Sequence, residues 1–140
     1  MTLWELIPRI THEPLLNESI PRLQSAALDD PHDRVREYAG RAYKSAIMRS
    51  RDEQLMHNAA TALTWALSHD DLNRRQYSAV LLSGLVKRIE SPDTLRAVVG
   101  QIRESAQSKD TTVAHFAGRA LRDVEQRLQQ AAAEATAKVK

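Results

Sequence analysis

Apolar residues recur at intervals of three and four along most of the chain, which is the spacing of one face of an α-helix. In the segment 55–67 the apolar positions are Leu55, Ala59, Ala62, Leu63, Ala66 and Leu67. The segments 35–47, 77–89 and 113–128 show the same spacing, and the alternation typical of half-buried strands is missing. The pattern predicts an all-α protein.

The helical pattern repeats with a period of 39 residues. Three of the six aromatic residues share this register, namely Tyr38, Tyr77 and Phe116. Apolar residues follow it as well: Ala42, Leu81 and Ala120; Ala46, Leu85 and Val124; Ile20, Ala59 and Val98. Two helices per period of this length are typical of a solenoid of stacked helix pairs. Each repeat is therefore expected to contain a helix A, a short acidic turn and a helix B.

Local signals indicate where several helices begin. Ser91 precedes Pro92, which is the order of an N-cap residue followed by proline at the first helical position. Aspartates stand in the turns before each helix B, where their oxygens can accept hydrogen bonds from the first amides. Pro21 interrupts the first helix A, so we expect a short helix over Ser19–Leu28 or a kinked one.

The segment DDPHDRVREYAGRAYKSA, residues 29–46, resembles the second half of a HEAT repeat. The matching residues are Asp30, Pro31, Val35, Arg36, Ala39 and Ala42. The second copy keeps Asp71, Arg74 and Arg75, and the third keeps Asp110, Val113 and Ala117, with Ala114 in place of arginine. This resemblance implies an α-solenoid, a right-handed superhelix of about three stacked helix pairs, with helices B on its concave surface. It also implies that the protein binds other proteins.

The repeats predict one domain over residues 1–140. Repeats are expected at 14–50, 53–89 and 92–128, after an N-terminal cap at 1–13 and before a helical extension or frayed tail at 129–140. The cap is assigned to the apolar residues Leu3, Trp4, Leu6 and Ile7, because the first repeat of a solenoid exposes an apolar face. A partner or membrane-surface anchor is the alternative for this segment.

Composition limits the chemistry. The 140 residues include no cysteine, which excludes disulfides and thiolate metal sites, and this fits a cytoplasmic protein. No apolar run approaches the length of a membrane span, and no membrane partner is expected. The net charge is +2, and fifteen of the twenty basic residues are arginine, which suits bidentate contact with carboxylate or phosphate.

No catalytic or metal-binding motif is evident. None of the five histidines has a second histidine three or four residues away, as ligands on one helical face would. His69, Asp70 and Asp71 could form a weak metal site, but they fit a capping turn better. No local signature marks an activated nucleophile. We expect neither enzymatic activity nor a metal or other cofactor.

The outward positions of helices B supply the candidate contact residues. A helical wheel and the register select seven of them: Arg41, Lys44, Met48, Val80, Lys87, Arg119 and Arg122. Arg49, Arg88 and Arg127 form a second register set, a basic edge that either contacts phosphate or acidic peptide or stabilises helix C-termini. Trp65, which is off the inner face of its helix, either anchors an interface or packs against a neighbouring helix.

These residues favour a non-catalytic protein–protein interaction module that presents a modestly basic surface. The alternatives are a module that binds the phosphate backbone of nucleic acid, and a self-associating structural component. The sequence does not identify the partner or the oligomeric state.

Overall fold

The computed structural model describes residues 13–139, and the side chains of residues 16–138. The expected N-terminal cap at 1–13, including its apolar residues, lies outside these described residues apart from position 13. The chain divides into two compact units, one ending at Ala59 and one beginning at Ala60.

Six α-helices form the described part of the chain: α1 Glu13–Asp29, α2 Asp33–Arg49, α3 Glu53–Ala66, α4 Leu72–Leu85, α5 Pro92–Ser105 and α6 Thr111–Val139. No strand occurs between residues 13 and 139, so the all-α class is confirmed. Helices α1, α3 and α5 occupy the positions expected for helices A, and α2, α4 and α6 those for helices B. The tail after Leu128 is helical, because α6 continues to Val139.

The turns cap the helices that follow them. Ser91 is the N-cap of α5, and its hydroxyl accepts a hydrogen bond from the Thr94 amide, with Pro92 at the first helical position. Asp71 caps α4 by accepting from the Asn73 amide at 3.0 Å. These bonds satisfy amides that have no acceptor inside the helix, which is why both helices begin where the sequence indicates.

Helix α1 departs from the expected short helix starting near Ser19, because it begins at Glu13 and continues through Pro21. Pro21 has no N–H to donate to the carbonyl of Asn17, and an interior proline costs a helix about 3 kcal/mol. The turns before Pro21 bury Leu16, which contributes roughly 1.5–3 kcal/mol, and bring Asn17 into a hydrogen bond with the next helix. Tertiary packing thus offsets the local cost.

Helices α1 and α2 pack against each other in the first unit and run antiparallel. The Tyr43 hydroxyl donates to Oε1 of Gln24 at 3.0 Å, and the Ser50 hydroxyl donates to Oδ1 of Asn17 at 2.7 Å. Seven residues forward along α1, from Asn17 to Gln24, correspond to seven residues back, from Ser50 at the end of α2 to Tyr43. The chain therefore folds into a helical hairpin about the turn between Asp29 and Asp33.

Helices α4 and α6 pack against each other in the second unit and run parallel. Near their first residues, Nε2 of Gln76 donates to Oδ2 of Asp110 at 3.2 Å. Near the end of α4, the guanidinium of Arg127 donates to the carbonyl oxygens of Val86 and Ile89. The partners in these bonds are 34, 41 and 38 residues apart, close to the 39-residue period. Residues one period apart therefore lie at the same level of the two helices.

The register also predicts which apolar positions are buried. All nine members of three register positions are at most 3% exposed: Ala42, Leu81 and Ala120; Ala46, Leu85 and Val124; Ile20, Ala59 and Val98. The aromatic position behaves differently, because Tyr38 is 51% exposed whereas Tyr77 and Phe116 are half-buried. These three aliphatic positions are thus buried in all copies, whereas the exposure of the aromatic position differs between copies.

Among the residues that the structure describes, no helix combines the length and apolar character needed to cross a membrane.

We predict that Arg127→Ala lowers the free energy of unfolding by about 1.5–3 kcal/mol. The substitution removes a charged donor from two backbone carbonyls at the end of α4, and hydrogen bonds to charged groups contribute about this much. Urea unfolding measures the change. Arg122→Ala, which truncates an exposed arginine of the same helix, is the matched control and should change stability by less than about 0.5 kcal/mol. Equal effects of the two substitutions would show that Arg127 does not stabilise α4.

Candidate functional site

Two arginines hold the turns before α2 and α4 in the same way. Nη1 of Arg36 donates to the carbonyl oxygen of Asp30 at 2.7 Å, and Nη1 of Arg75 donates to that of His69 at 2.7 Å. In both cases the acceptor lies six residues before the arginine, and the two arginines are one period apart. Ala114 occupies this position in the third copy. Arg36 and Arg75 therefore stabilise the fold itself.

The predicted basic edge consists of half-buried side chains. Arg49 is the last residue of α2, and Arg88 follows the end of α4. Both take part in interactions within the structure. Arg127 binds the carbonyls at the end of α4, where a cation is favoured by the helix dipole. For Arg127 the helix-end interpretation therefore fits, although the helix it stabilises is α4 and not its own.

The outward side of α2 carries Arg41 and Lys44, which are both exposed. Arg41 forms an ion pair with Glu37 at 2.8 Å, and its guanidinium carbon lies 5.9 Å from the ring centre of Tyr38. Met48, the third predicted contact residue of this helix, is half-buried. The charge of Arg41 is thus partly neutralised by its own helix.

The outward side of α4 and α6 is basic and lacks carboxylates. Lys87, His115, Arg119 and Arg122 are exposed, and Val80 is half-buried. Among the described residues, neither Arg119 nor Arg122 forms an ion pair. Helix α4 contains no Asp or Glu, and α6 contains none between Thr111 and Arg122. We call these five residues the basic α4–α6 face.

Trp65 lies near the end of α3 and is 77% exposed. Its indole is therefore not packed against a neighbouring helix, and the anchor interpretation is favoured. Thr61, four residues earlier on α3, and Ser68, in the turn after this helix, are also exposed and carry no charge. Leu72, the first residue of α4, is 40% exposed and was not predicted from the sequence. The feature of the sequence that could have indicated this exposure is the position of Leu72 directly after the N-cap and outside the apolar stripe of α4.

Three buried polar atoms in α4 have no hydrogen-bond partner among the described residues: Nε of Arg74, the hydroxyl of Tyr77 and the hydroxyl of Ser78. Burial raises the pKa of the Tyr77 phenol well above its usual value, because the phenolate would lose its hydration. A phenol whose pKa is raised stays protonated near neutral pH. Tyr77 is therefore unsuited to act as a general base.

In the turn before α4, both ring nitrogens of His69 lie close to other groups of the chain. Nδ1 of His69 accepts a hydrogen bond from the Asp71 amide at 3.0 Å, and Nη1 of Arg74 lies 3.0 Å from Nε2. The Asp71 amide thus occupies the lone pair of Nδ1, which is not directed at a metal ion. In the described part of the chain, no three His, Asp or Glu residues are placed to hold a metal.

A shallow, open concavity of about 410 Å³ lies at the end of α1 in the first unit. Its lining residues are Arg22, Ser25, Ala26, Asp29 and Asp30. None of the sequence-predicted contact residues lines this concavity. Its charged residues have both signs, so it favours neither cations nor anions.

No protein-family model, no curated protein and no solved structure matches this chain.

We predict that Tyr77→Phe leaves stability at neutral pH unchanged or raises it by up to about 1 kcal/mol, because the lost hydroxyl has no partner. Because the pKa of the Tyr77 phenol is raised in the folded state, the phenol loses its proton at a lower pH once the chain unfolds. The free energy of unfolding should therefore fall as pH rises above about 10, the ordinary pKa of tyrosine. Tyr77→Phe should make this fall less steep in urea unfolding at a series of alkaline pH values.

Tyr38→Phe, at the equivalent position in the first unit, is the control for this measurement. Tyr38 is 51% exposed, so its substitution should leave the alkaline slope unchanged. An identical slope for wild type and Tyr77→Phe would contradict the burial of the Tyr77 hydroxyl.

Proposed function

We propose that this chain is a non-catalytic protein–protein interaction module built on a short solenoid of helix pairs. The parallel α4–α6 packing at the 39-residue register supports the solenoid. So do the matching turn contacts of Arg36 and Arg75, because the same side chain makes the same bond one period later. Both observations agree with the resemblance to HEAT repeats.

The exposure of Trp65 carries this proposal. An indole that is 77% exposed leaves a large apolar surface in water, and burial of such a surface drives association. Tryptophan is among the residues that dominate the binding energy of protein interfaces, where alanine substitutions cost 2 kcal/mol or more. The nearby exposed Leu72 adds apolar area within the same unit.

The surroundings of Trp65 favour a protein partner over nucleic acid. An aromatic side chain that stacks on bases needs cations close by to hold the phosphate backbone. Helix α3 contains no lysine or arginine, and the exposed residues beside Trp65 on this helix are uncharged. In the same unit, the exposed cations Lys87, Arg119 and Arg122 lie instead on the outward side of α4 and α6, where we propose that they make further polar contacts with the partner.

Site-specific photo-cross-linking tests the proposal. A photoreactive amino acid at position 65 is compared with one at position 103, an exposed site on α5, in lysate of the native cells with and without nuclease treatment. We expect a protein adduct at position 65 and none at position 103. Trp65→Ala should weaken capture of the same protein by about tenfold or more without lowering the melting temperature, since the indole contributes no core packing.

Three results would contradict the proposal. Equal labelling at both positions would show that Trp65 has no special role. An adduct that disappears with nuclease would favour the nucleic-acid alternative. An adduct with the mass of two copies of this chain, and no other, would favour self-association.

A further inference from the structure

We infer that the partner carries an acidic peptide segment, and that the basic α4–α6 face binds it through Arg119 and Arg122. This inference rests on the proposed function and adds the chemistry of the partner to it. It rests on how the fold uses its other arginines, on the spacing of Arg119 and Arg122 on α6 and on the lack of an ion pair at either residue.

Most arginines that the structure pairs with carboxylates use an acidic residue three or four positions earlier on the same helix or at its cap. The pairs are Arg36 with Asp33, Arg41 with Glu37, Arg74 with Asp71, and Arg96 with Asp93. Arg119 and Arg122 have no acidic residue at these positions, which are occupied by His115, Phe116 and Gly118, and by Arg119 itself. Both remain exposed and have no ion pair among the described residues. Their charge is thus available to a ligand.

The spacing of these cations suits carboxylates on a peptide. Arg119 and Arg122 are three residues apart, so they lie on one side of α6 about 5 Å apart along its axis, and His115 lies one turn before Arg119 on the same side. Carboxylates on successive turns of a helical peptide, or on alternate residues of an extended peptide about 7 Å apart, have a spacing similar to that of the two guanidinium groups. Each guanidinium can hold one carboxylate through two parallel hydrogen bonds, which is the geometry that arginine favours.

The carboxylates nearest to Arg119 and Arg122 do not pair with them. No carboxylate occurs on α4 or on the first three turns of α6, and Asp123 and Glu125, on the next turn of α6, form no ion pair with either guanidinium group. Val80 lies one period before Arg119 and therefore at its level on the parallel helix α4. Being half-buried, Val80 offers an apolar contact beside the charges. Lys87 extends the positive potential toward the end of α4.

The size of the face favours an acidic peptide over a phosphate backbone. Proteins that bind DNA through its backbone contact about 6–10 phosphates. Arg119 and Arg122 span only about 5 Å along α6, which is enough for two carboxylates.

Fluorescence anisotropy with a defined probe tests this inference. The probe is a labelled twelve-residue peptide in which Glu alternates with Ala, and a peptide with Gln in place of Glu is its neutral counterpart. We expect the Glu peptide to bind and the Gln peptide to bind at least tenfold more weakly. The double variant R119E/R122E should weaken binding of the Glu peptide by about tenfold or more, since each reversal replaces an attraction with a repulsion.

The variant R103E/K109E is the matched control, because it changes the net charge by the same amount at two exposed positions outside the face. Its affinity for the Glu peptide should stay within about threefold of wild type. If R119E/R122E has a lowered melting temperature, R119Q/R122Q replaces it, with R103Q/K109Q as control.

Equal losses in the face variant and the control would overturn the inference, because the binding would then reflect net charge alone. Equal binding of the Gln peptide, or tighter binding of a 20-base-pair DNA duplex, would also overturn it. Cross-linking at position 65 reports separately on the proposed function. Failure of the Glu peptide with retained cross-linking overturns only the acidic partner, whereas loss of specific cross-linking overturns the interaction module itself.

Discussion

The parallel packing of α4 against α6, offset by one 39-residue period, is the constraint on which the second unit depends. Gln76 and Asp110 connect the first turns of the two helices, and Arg127 ties α6 to the segment directly after α4 by donating to the carbonyls of Val86 and Ile89. Buried residues such as Leu85 and Val124 fill the contact between these ends. Because both ends are fixed, every residue on α4 has a defined neighbour on α6, which sets the composition of the exposed face.

Some arginines of this chain stabilise the fold, and others remain exposed and can contact a ligand. Arg36 and Arg75 hold turns, and Arg127 ties α6 to α4. Such bonds direct the guanidinium inward, toward carbonyls that would otherwise lack donors at helix ends. Arg119 and Arg122 form no ion pair among the described residues, and they remain exposed to solvent. The division follows from position in the repeat and not from residue type, so composition alone could not show it.

The sequence predicts much of the scaffold and less of its surface. The N-cap at Ser91 and the buried register positions follow from local spacing and are confirmed. The sequence left two alternatives for the first helix, a short one and a kinked one, and its start at Glu13 depends on contacts that local spacing does not show, such as the bond between Asn17 and Ser50. The role of Arg127 depends in the same way on a helix 38–41 residues away. Exposure of the candidate contact residues follows from the helical wheel where the helix is amphipathic, whereas the exposure of Trp65 required coordinates.

Distances between spin labels test the parallel packing most directly. The chain has no cysteine, so pairs of introduced cysteines carry the only labels. Leu72 with Thr111, and Lys87 with Gln126, are exposed pairs one period apart, at the start of α4 and directly after its end. Parallel packing predicts equally short distances for both pairs, near one interhelical spacing of about 10 Å plus the label arms, and a 72–126 distance about 15 Å longer. A short 72–126 distance with a long 72–111 distance would contradict the account.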